Sequence, residues 1–124
     1  MLHGYFSSGT NVPRIEVAIF SHEKVLRLAC ILDTGFSGYL KIDEQAASDL
    51  GIVSDMDMYG VNANGEKMSG RVAYAYVELE KRKMLVEILI FNGPALAGIG
   101  LFASFGYKVV VDCKNKRVHL ESAT

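Results

Sequence analysis

Apolar residues recur at every second position along most of this chain, and this alternation limits the folds that it can adopt. In residues 14–20, three aliphatic side chains alternate with Arg14 and Glu16, as in a strand that buries one face. Short polar segments separate the alternating runs and are typical of tight turns. With 124 residues the chain is long enough for one hydrophobic core but not for two. We therefore expect a single all-β domain over residues 1–124.

The same pattern predicts a series of short strands that two brief helices interrupt. Strands are expected at residues 14–20, 25–32, 39–42, 56–61, 70–79, 84–91, 107–112 and 117–120. One helix is expected over residues 43–51, where Asp43 suits the N-cap and Gly51 suits the end. The other lies within residues 96–106 and ends on Gly106. Many short strands with few helices favour a small barrel or sandwich.

Charge and hydropathy argue against two classes of partner. The net charge is −1 without a basic stripe, so we expect neither nucleic acid nor a membrane surface as a partner. No run approaches the roughly 20 apolar residues of a membrane span. Residues 1–10 lack the basic start and apolar run of a signal peptide. We therefore expect a cytoplasmic protein.

The cysteines and histidines do not form a metal-binding pattern. Cys30 and Cys113 lack the spacing of metal ligands, and Cys30 lies in an apolar run where we expect it to be buried. His3, His22 and His119 lie in different predicted elements, which argues against a shared metal ion. We expect neither a metal nor a cofactor.

One acidic residue stands where a carboxylate is costly. An apolar run ends at Leu32, and Asp33, Thr34 and Gly35 follow it directly. A carboxylate at the end of a buried strand needs hydrogen bonds to compensate for lost hydration. The threonine hydroxyl can bond backbone groups, and a glycine lets its own N–H approach the carboxylate closely. From spacing alone, a functional acid and a structural strand-end aspartate are equally open.

The segments around this acid resemble a known family. DTGFSGYLKID, residues 33–43, is similar to the active-site segment of retropepsin-like aspartic peptidases, in their small single-domain branch. Residues 59–72 resemble the flap hairpin of that family. Residues 96–106 resemble its second motif, with Gly98 in the glycine position, and residues 107–120 resemble its closing hairpin. The likeness covers nearly the whole chain, with the segments in the same order.

The resemblance implies a fold and a reaction. The fold is a small closed barrel with a flap hairpin and two short helices, and the reaction is hydrolysis of peptide bonds by water that two aspartates activate. The chain has one Asp-Thr-Gly segment, and none of its other aspartates combines an apolar strand before it with a Thr-Gly after it. We therefore expect a homodimer in which Asp33 of each subunit meets the other at a two-fold axis.

The resemblance also assigns the residues around the acid. Thr34 is expected to reach across the axis, and Gly35 is expected to stay close to the carboxylates. A peptide or protein substrate would lie between the active-site loop and the flap as an added strand. The substrate-binding residues implied in the flap and the second motif are Asn62, Ala63, Asn64, Gly65, Gly98 and Ile99. Phe36 stands where the family commonly carries a small residue, so we expect it to narrow the site.

A second interpretation belongs to another class of protein. The chain can keep the barrel and the peptide groove without turnover, as an inactive peptide-binding or dimerisation module. Cleavage of peptides, and its loss when Asp33 is replaced, distinguishes the enzyme from the module.

Overall fold

The computed structural model of the protein describes residues 1–53, 56–61 and 67–123. Within these ranges the chain forms eleven strands and two short helices. The strands are β1 (Leu2–His3), β2 (Tyr5–Phe6), β3 (Pro13–Ser21), β4 (Lys24–Leu32), β5 (Leu40–Ile42), β6 (Met56–Val61), β7 (Lys67–Leu79), β8 (Arg82–Ile90), β9 (Leu96–Ala97), β10 (Tyr107–Asp112) and β11 (Arg117–Ser122). The helices are α1 (Glu44–Asp49) and α2 (Ile99–Ser104).

Six of these strands close into a barrel. Their order is β3-β4-β9-β5-β8-β7, and β7 returns to pair with β3. The β4–β9 and β5–β8 contacts are parallel, whereas the other four are antiparallel. A separate three-stranded sheet has the order β1-β11-β10. The expected all-β fold, a small closed barrel with two short helices, is confirmed.

The core lies inside the barrel and follows the alternation of the sequence. Ile15, Val17 and Ile19 of β3 are at most 1% exposed, as the pattern predicted. Strand β8 is apolar on both faces in sequence, but its inward Ile88 is fully buried while Leu85 is 56% exposed. Only one face of each barrel strand can meet the core, because successive side chains point to opposite sides.

The predicted helices are present with shorter bounds. Asp43 is the N-cap of α1, and its Oδ1 accepts a hydrogen bond of 2.8 Å from the backbone N–H of Ala46. Gly51 and Gly106 follow the two helices with φ of +66° and +72°, values that favour glycine. Within the described residues, neither helix has the length or apolar content to cross a membrane.

The hairpin of β6 and β7 forms where the sequence predicted it. The two strands pair antiparallel from Met56 opposite Val72 to Val61 opposite Lys67. Strand β7 therefore begins three residues before the predicted start at residue 70. The expected tip residues, Asn62, Ala63, Asn64 and Gly65, lie outside the described residues.

The first strands of the chain were not predicted from the sequence. β1 and β2 are two residues long each, too short for an alternation to be read. Leu2 of β1 lies opposite Leu120 of β11, so the two ends of the described chain meet in one sheet.

Cys30 is buried, as expected, and both cysteines are free. Burial raises the pKa of the Cys30 thiol to about 12, with Arg14 acting weakly in the opposite direction. This thiol therefore stays protonated at neutral pH and acts as a small apolar side chain.

Candidate active site

Asp33 lies directly after β4, and the neighbouring strand β9 fixes its backbone. The Asp33 N–H donates a hydrogen bond of 2.9 Å to the carbonyl of Ala97, and the Ile31 N–H donates one of 2.8 Å to the carbonyl of Ala95. These bonds continue the parallel pairing in which Leu32 lies opposite Ala97. The acid is thus attached to the barrel wall at the point where the strand ends.

The Asp-Thr-Gly turn holds the carboxylate of Asp33 as the sequence predicted. The Gly35 N–H donates a hydrogen bond of 2.9 Å to Asp33 Oδ1, and the Phe36 N–H donates one of 3.2 Å to the Asp33 carbonyl. A Cβ on Gly35 would lie 3.2 Å from the same Oδ1. Asp33 is half-buried, while Thr34 and Gly35 are exposed. The turn therefore orients one carboxylate oxygen and presents the next two residues at the surface.

The second motif, residues 96–106, contacts the loop that follows Asp33 through backbone hydrogen bonds. The N–H groups of Gly98, Ile99 and Gly100 donate hydrogen bonds of 2.9, 2.9 and 3.0 Å to the carbonyls of Tyr39, Phe36 and Gly38. Three consecutive bonds join the start of α2 to the segment that follows the acid. Because this segment starts beside Asp33, the second motif fixes the loop that carries the acid.

Gly98 is required by the closeness of this contact. A Cβ on Gly98 would lie 2.4 Å from the Gly38 carbonyl oxygen and 2.5 Å from that of Phe36. Such separations are well inside van der Waals contact, and both partners are backbone atoms. Close packing against the Phe36 and Gly38 carbonyls thus explains why residue 98 is a glycine.

Phe36 packs back onto its own loop. A Cβ on Gly38 would lie 2.6 Å from the Phe36 Cζ, and a Cβ on Gly98 would lie 2.6 Å from its Cδ2. The ring therefore covers both glycines and is itself half-buried. Ile99, which the resemblance implies binds substrate, is 43% exposed. Its N–H donates the hydrogen bond to the Phe36 carbonyl described above.

Lys41 was not identified from the sequence, although it is the charged residue of the apolar strand β5. Only 7% of the residue is exposed, and its Nζ donates a hydrogen bond of 2.8 Å to the Pro94 carbonyl. Burial lowers the pKa of the Lys41 ammonium, while the nearby Asp43 carboxylate raises it. This hydrogen bond joins β5 to the segment that leads into β9. Strand β9 in turn accepts the backbone hydrogen bond from Asp33.

Other aspartates have structural partners instead. Asp43 caps α1, as described above, and Asp112 accepts hydrogen bonds from the N–H of Asn115 at 3.1 Å and from its Nδ2 at 2.8 Å. Asp112 thus caps the turn that follows β10. Asp55 and the side chain of Asp57 lie outside the described residues.

The fold brings two of the histidines together, although the sequence placed them in separate elements. His3 lies opposite His119, with 6.1 Å between the ring centroids, and His119 Nε2 lies 3.0 Å from Glu121 Oε1. Within the part of the chain that the structure describes, no three His, Cys, Asp or Glu side chains are grouped so as to hold a metal ion.

Comparison with solved structures defines the class of fold. No protein-family model and no curated protein matches the chain. The barrel is, however, that of retropepsin-like aspartic proteases. A retropepsin-like aspartic protease from Rickettsia conorii has a TM-score of 0.65 at 14% identity, covering 98% of this chain and 89% of that one. EIAV protease, complexed with the inhibitor HBY-793, has a TM-score of 0.65 at 15% identity, covering 85% of this chain and 98% of that one. At these identities the likeness concerns the fold.

Proposed function

We propose that this protein is an aspartic endopeptidase that hydrolyses peptide bonds with Asp33 as its catalytic residue. The observation that carries the proposal is the position of the Asp33 carboxylate, which the Gly35 N–H holds directly after strand β4 of a retropepsin-like barrel. The solved structures of this fold described above are both proteases. A carboxylate placed for structure alone does not need an exposed Thr-Gly turn braced by a second glycine motif.

The second acid comes from a second copy of the chain. The chain has one Asp-Thr-Gly segment, and Asp43 and Asp112 are engaged in caps. In a two-fold dimer the same patch meets itself, so each Asp33 finds its equivalent across the axis. The exposed Thr34 and Gly35 lie on that patch, where the threonine hydroxyl reaches the partner's loop and fixes both acids.

The chemistry follows from placing two carboxylates about 3 Å apart, where they share one proton. The ionised carboxylate takes a proton from a bound water, whose oxygen attacks the peptide carbonyl carbon. The protonated carboxyl polarises the carbonyl oxygen and gives it a proton. The carboxyl that took the water proton then gives it to the peptide nitrogen as the C–N bond breaks and the amine leaves. The other carboxylate takes a proton from a hydroxyl of the tetrahedral diol, so a carboxylic acid forms and the pair of aspartates again shares one proton. Neither a metal nor a covalent enzyme intermediate takes part.

The substrate is an extended peptide bound beside the acid. The backbone of such a peptide pairs with the β6–β7 hairpin on one side and with the active-site loop on the other. The flap residues that the family resemblance implies, Asn62, Ala63, Asn64 and Gly65, are part of the proposed substrate-binding site. Gly98 keeps the loop in place, and the exposed Ile99 contacts an apolar side chain of the substrate.

A cleavage screen tests this function. The purified chain is incubated with a diverse peptide library, with and without a statine-type inhibitor, which mimics the tetrahedral intermediate. We expect internal cleavage that the inhibitor blocks, and an activity per subunit that rises with protein concentration as dimers form. Peptide binding without cleavage at any concentration would instead favour the binding module. Cleavage that a metal chelator stops and the inhibitor does not would contradict the proposal.

A further inference from the structure

Strand β9 fixes the backbone of Asp33, although it is only two residues long. Its Ala97 carbonyl accepts the hydrogen bond of 2.9 Å from the Asp33 N–H. A strand this short makes few hydrogen bonds, so its position depends on what holds the segments at its two ends. After β9, the Gly98 N–H donates a bond of 2.9 Å to the Tyr39 carbonyl, which fixes that end.

The turn that leads into β9, residues 91–94, is folded around the ammonium group of Lys41. The Lys41 Nζ donates a hydrogen bond of 2.8 Å to the Pro94 carbonyl, and it lies 5.9 Å from the centroid of the Phe91 ring. A Cβ on Gly93 would lie 3.1 Å from the same Nζ, and the φ of +107° at this residue favours glycine. Three residues of the turn therefore lie against one ammonium group.

The strand register places the Lys41 side chain on the sheet face that leads to the acid. Lys41 of β5 lies opposite Leu96 of β9, and Leu96 lies beside Ile31 of β4. Side chains at paired positions point to the same face of a sheet. Asp33 follows Ile31 by two residues and therefore continues this face, because side chains alternate along a strand. Strand β9 alone separates the strand of the lysine from the strand of the acid.

Stability does not explain a charge at position 41. Lys41 is buried, and moving a charged group out of water is unfavourable. Burial lowers the pKa of the Lys41 ammonium more than Asp43 raises it. Since folding lowers this pKa, the protonated form is less stable in the folded protein than in the unfolded chain. A methionine would fill a similar volume without this cost, and the exposed Pro94 would bond water instead.

We infer that Lys41 is a positioning residue for the catalytic acid. By holding the turn 91–94 around its ammonium group, Lys41 fixes the start of β9 and so the Ala97 carbonyl that sets the backbone of Asp33. Gly98 fixes the other end of the same strand. The inference rests on the proposed function, because the positioning serves peptide hydrolysis by Asp33.

Replacing Lys41 with methionine separates positioning from stability. We expect kcat to fall roughly 10- to 100-fold, because a displacement of about 1 Å near the reacting groups has an effect of that order. KM should change less than about threefold, since Lys41 acts through β9 and does not contact the peptide. The thermal midpoint should equal or exceed that of the wild type. Lys24→Met makes the same change at an exposed lysine of the β3–β4 hairpin and should keep the wild-type kcat.

Hydrogen exchange measures the positioning without any catalytic activity. The backbone amides of Ile31 and Asp33 donate to the carbonyls of Ala95 and Ala97. Followed by NMR, both amides should exchange at least about tenfold faster in Lys41→Met than in the wild type. The Gly4 amide donates a bond of 2.9 Å to the Val118 carbonyl in the other sheet and should exchange at the wild-type rate.

Two results would overturn the inference. One is a kcat of Lys41→Met equal to that of Lys24→Met. The other is a parallel fall of kcat and thermal midpoint with faster exchange at the Ile31, Asp33 and Gly4 amides, because that pattern means a general loss of packing.

A second variant keeps the test available if circular dichroism shows that Lys41→Met does not fold. Gly93→Ala displaces the ammonium from the turn, so we expect the same loss of kcat and the same faster exchange at Ile31 and Asp33. Gly9→Ala is its control, because it makes the same change at a φ of +71° where the new Cβ would meet no described atom within 4 Å. Equal kinetics and exchange in these two glycine variants would contradict the role of Lys41.

These measurements also separate the inference from the proposed function. A wild type that cleaves peptides, with kcat unchanged in Lys41→Met, contradicts the positioning role alone. A wild type that never cleaves a peptide, with faster exchange at Ile31 and Asp33 in Lys41→Met, contradicts the enzyme and supports the hold of Lys41 on the Asp33 backbone. Unchanged exchange in an inactive protein contradicts both.

Discussion

Replacing Asp33 with asparagine should lower kcat by roughly 10²- to 10⁴-fold, the usual contribution of general acid–base groups. The amide cannot take a proton from water, and in the homodimer both acids are lost together. The fold should persist, because the amide oxygen of asparagine can still accept the Gly35 N–H bond that Asp33 Oδ1 accepts at 2.9 Å. Initial rates on a peptide from the screen and the thermal midpoint are the two measurements.

Asp49→Asn is the matched control for this variant. It makes the same atom change at the end of α1, where Asp49 Oδ1 accepts a bond of 2.9 Å from Gln45 Nε2. We expect wild-type rates from it. Full activity in Asp33→Asn would show that this carboxylate is not the catalytic group, whatever the fold.

Replacing Gly98 with alanine should destabilise the protein by about 1–3 kcal/mol, the cost of forcing an extra methyl group into a packed site. The backbone there has φ of −110° and ψ of 177°, which alanine adopts without strain. The effect therefore isolates the contact of the new Cβ with the carbonyl oxygens of Gly38 and Phe36, at 2.4 and 2.5 Å. Activity should fall as well, because the displaced segment starts beside Asp33.

Gly100→Ala provides the comparison for Gly98→Ala. Its Cβ would lie 3.0 Å from the Gly38 carbonyl oxygen, a smaller overlap. Gly100 also lies inside α2, where alanine is favoured over glycine by about 1 kcal/mol. We expect its free energy of unfolding, from urea denaturation, to stay well above that of Gly98→Ala. Equal values for the two variants would refute the close-contact explanation.

The sequence was most informative where structure depends on neighbouring residues. The alternation in residues 14–20 predicted a strand with one buried face, and Asp43 predicted the start of a helix. The Asp-Thr-Gly turn is local too, since the bond from Gly35 to Asp33 spans two residues. These features can be predicted without knowing which distant segments are in contact.

The features that could not be predicted from the sequence depend on contacts between segments that are far apart along the chain. The hydrogen bond from Lys41 to Pro94 joins residues 53 positions apart, and a lone lysine in an apolar strand gave the one available signal. The pairing of His3 with His119 depends on a two-residue strand that no periodicity can reveal.

Mixing wild-type protein with an excess of Asp33→Asn is the most direct test of the shared catalytic centre. Subunits exchange, and each mixed dimer holds one aspartate and one asparagine. We expect peptide hydrolysis at constant wild-type concentration to fall steeply as the variant is added, approaching zero when nearly every wild-type subunit has a variant partner. Hydrolysis that stays constant across the titration, with mixed dimers verified by native mass spectrometry, would mean that one subunit contains the whole active site.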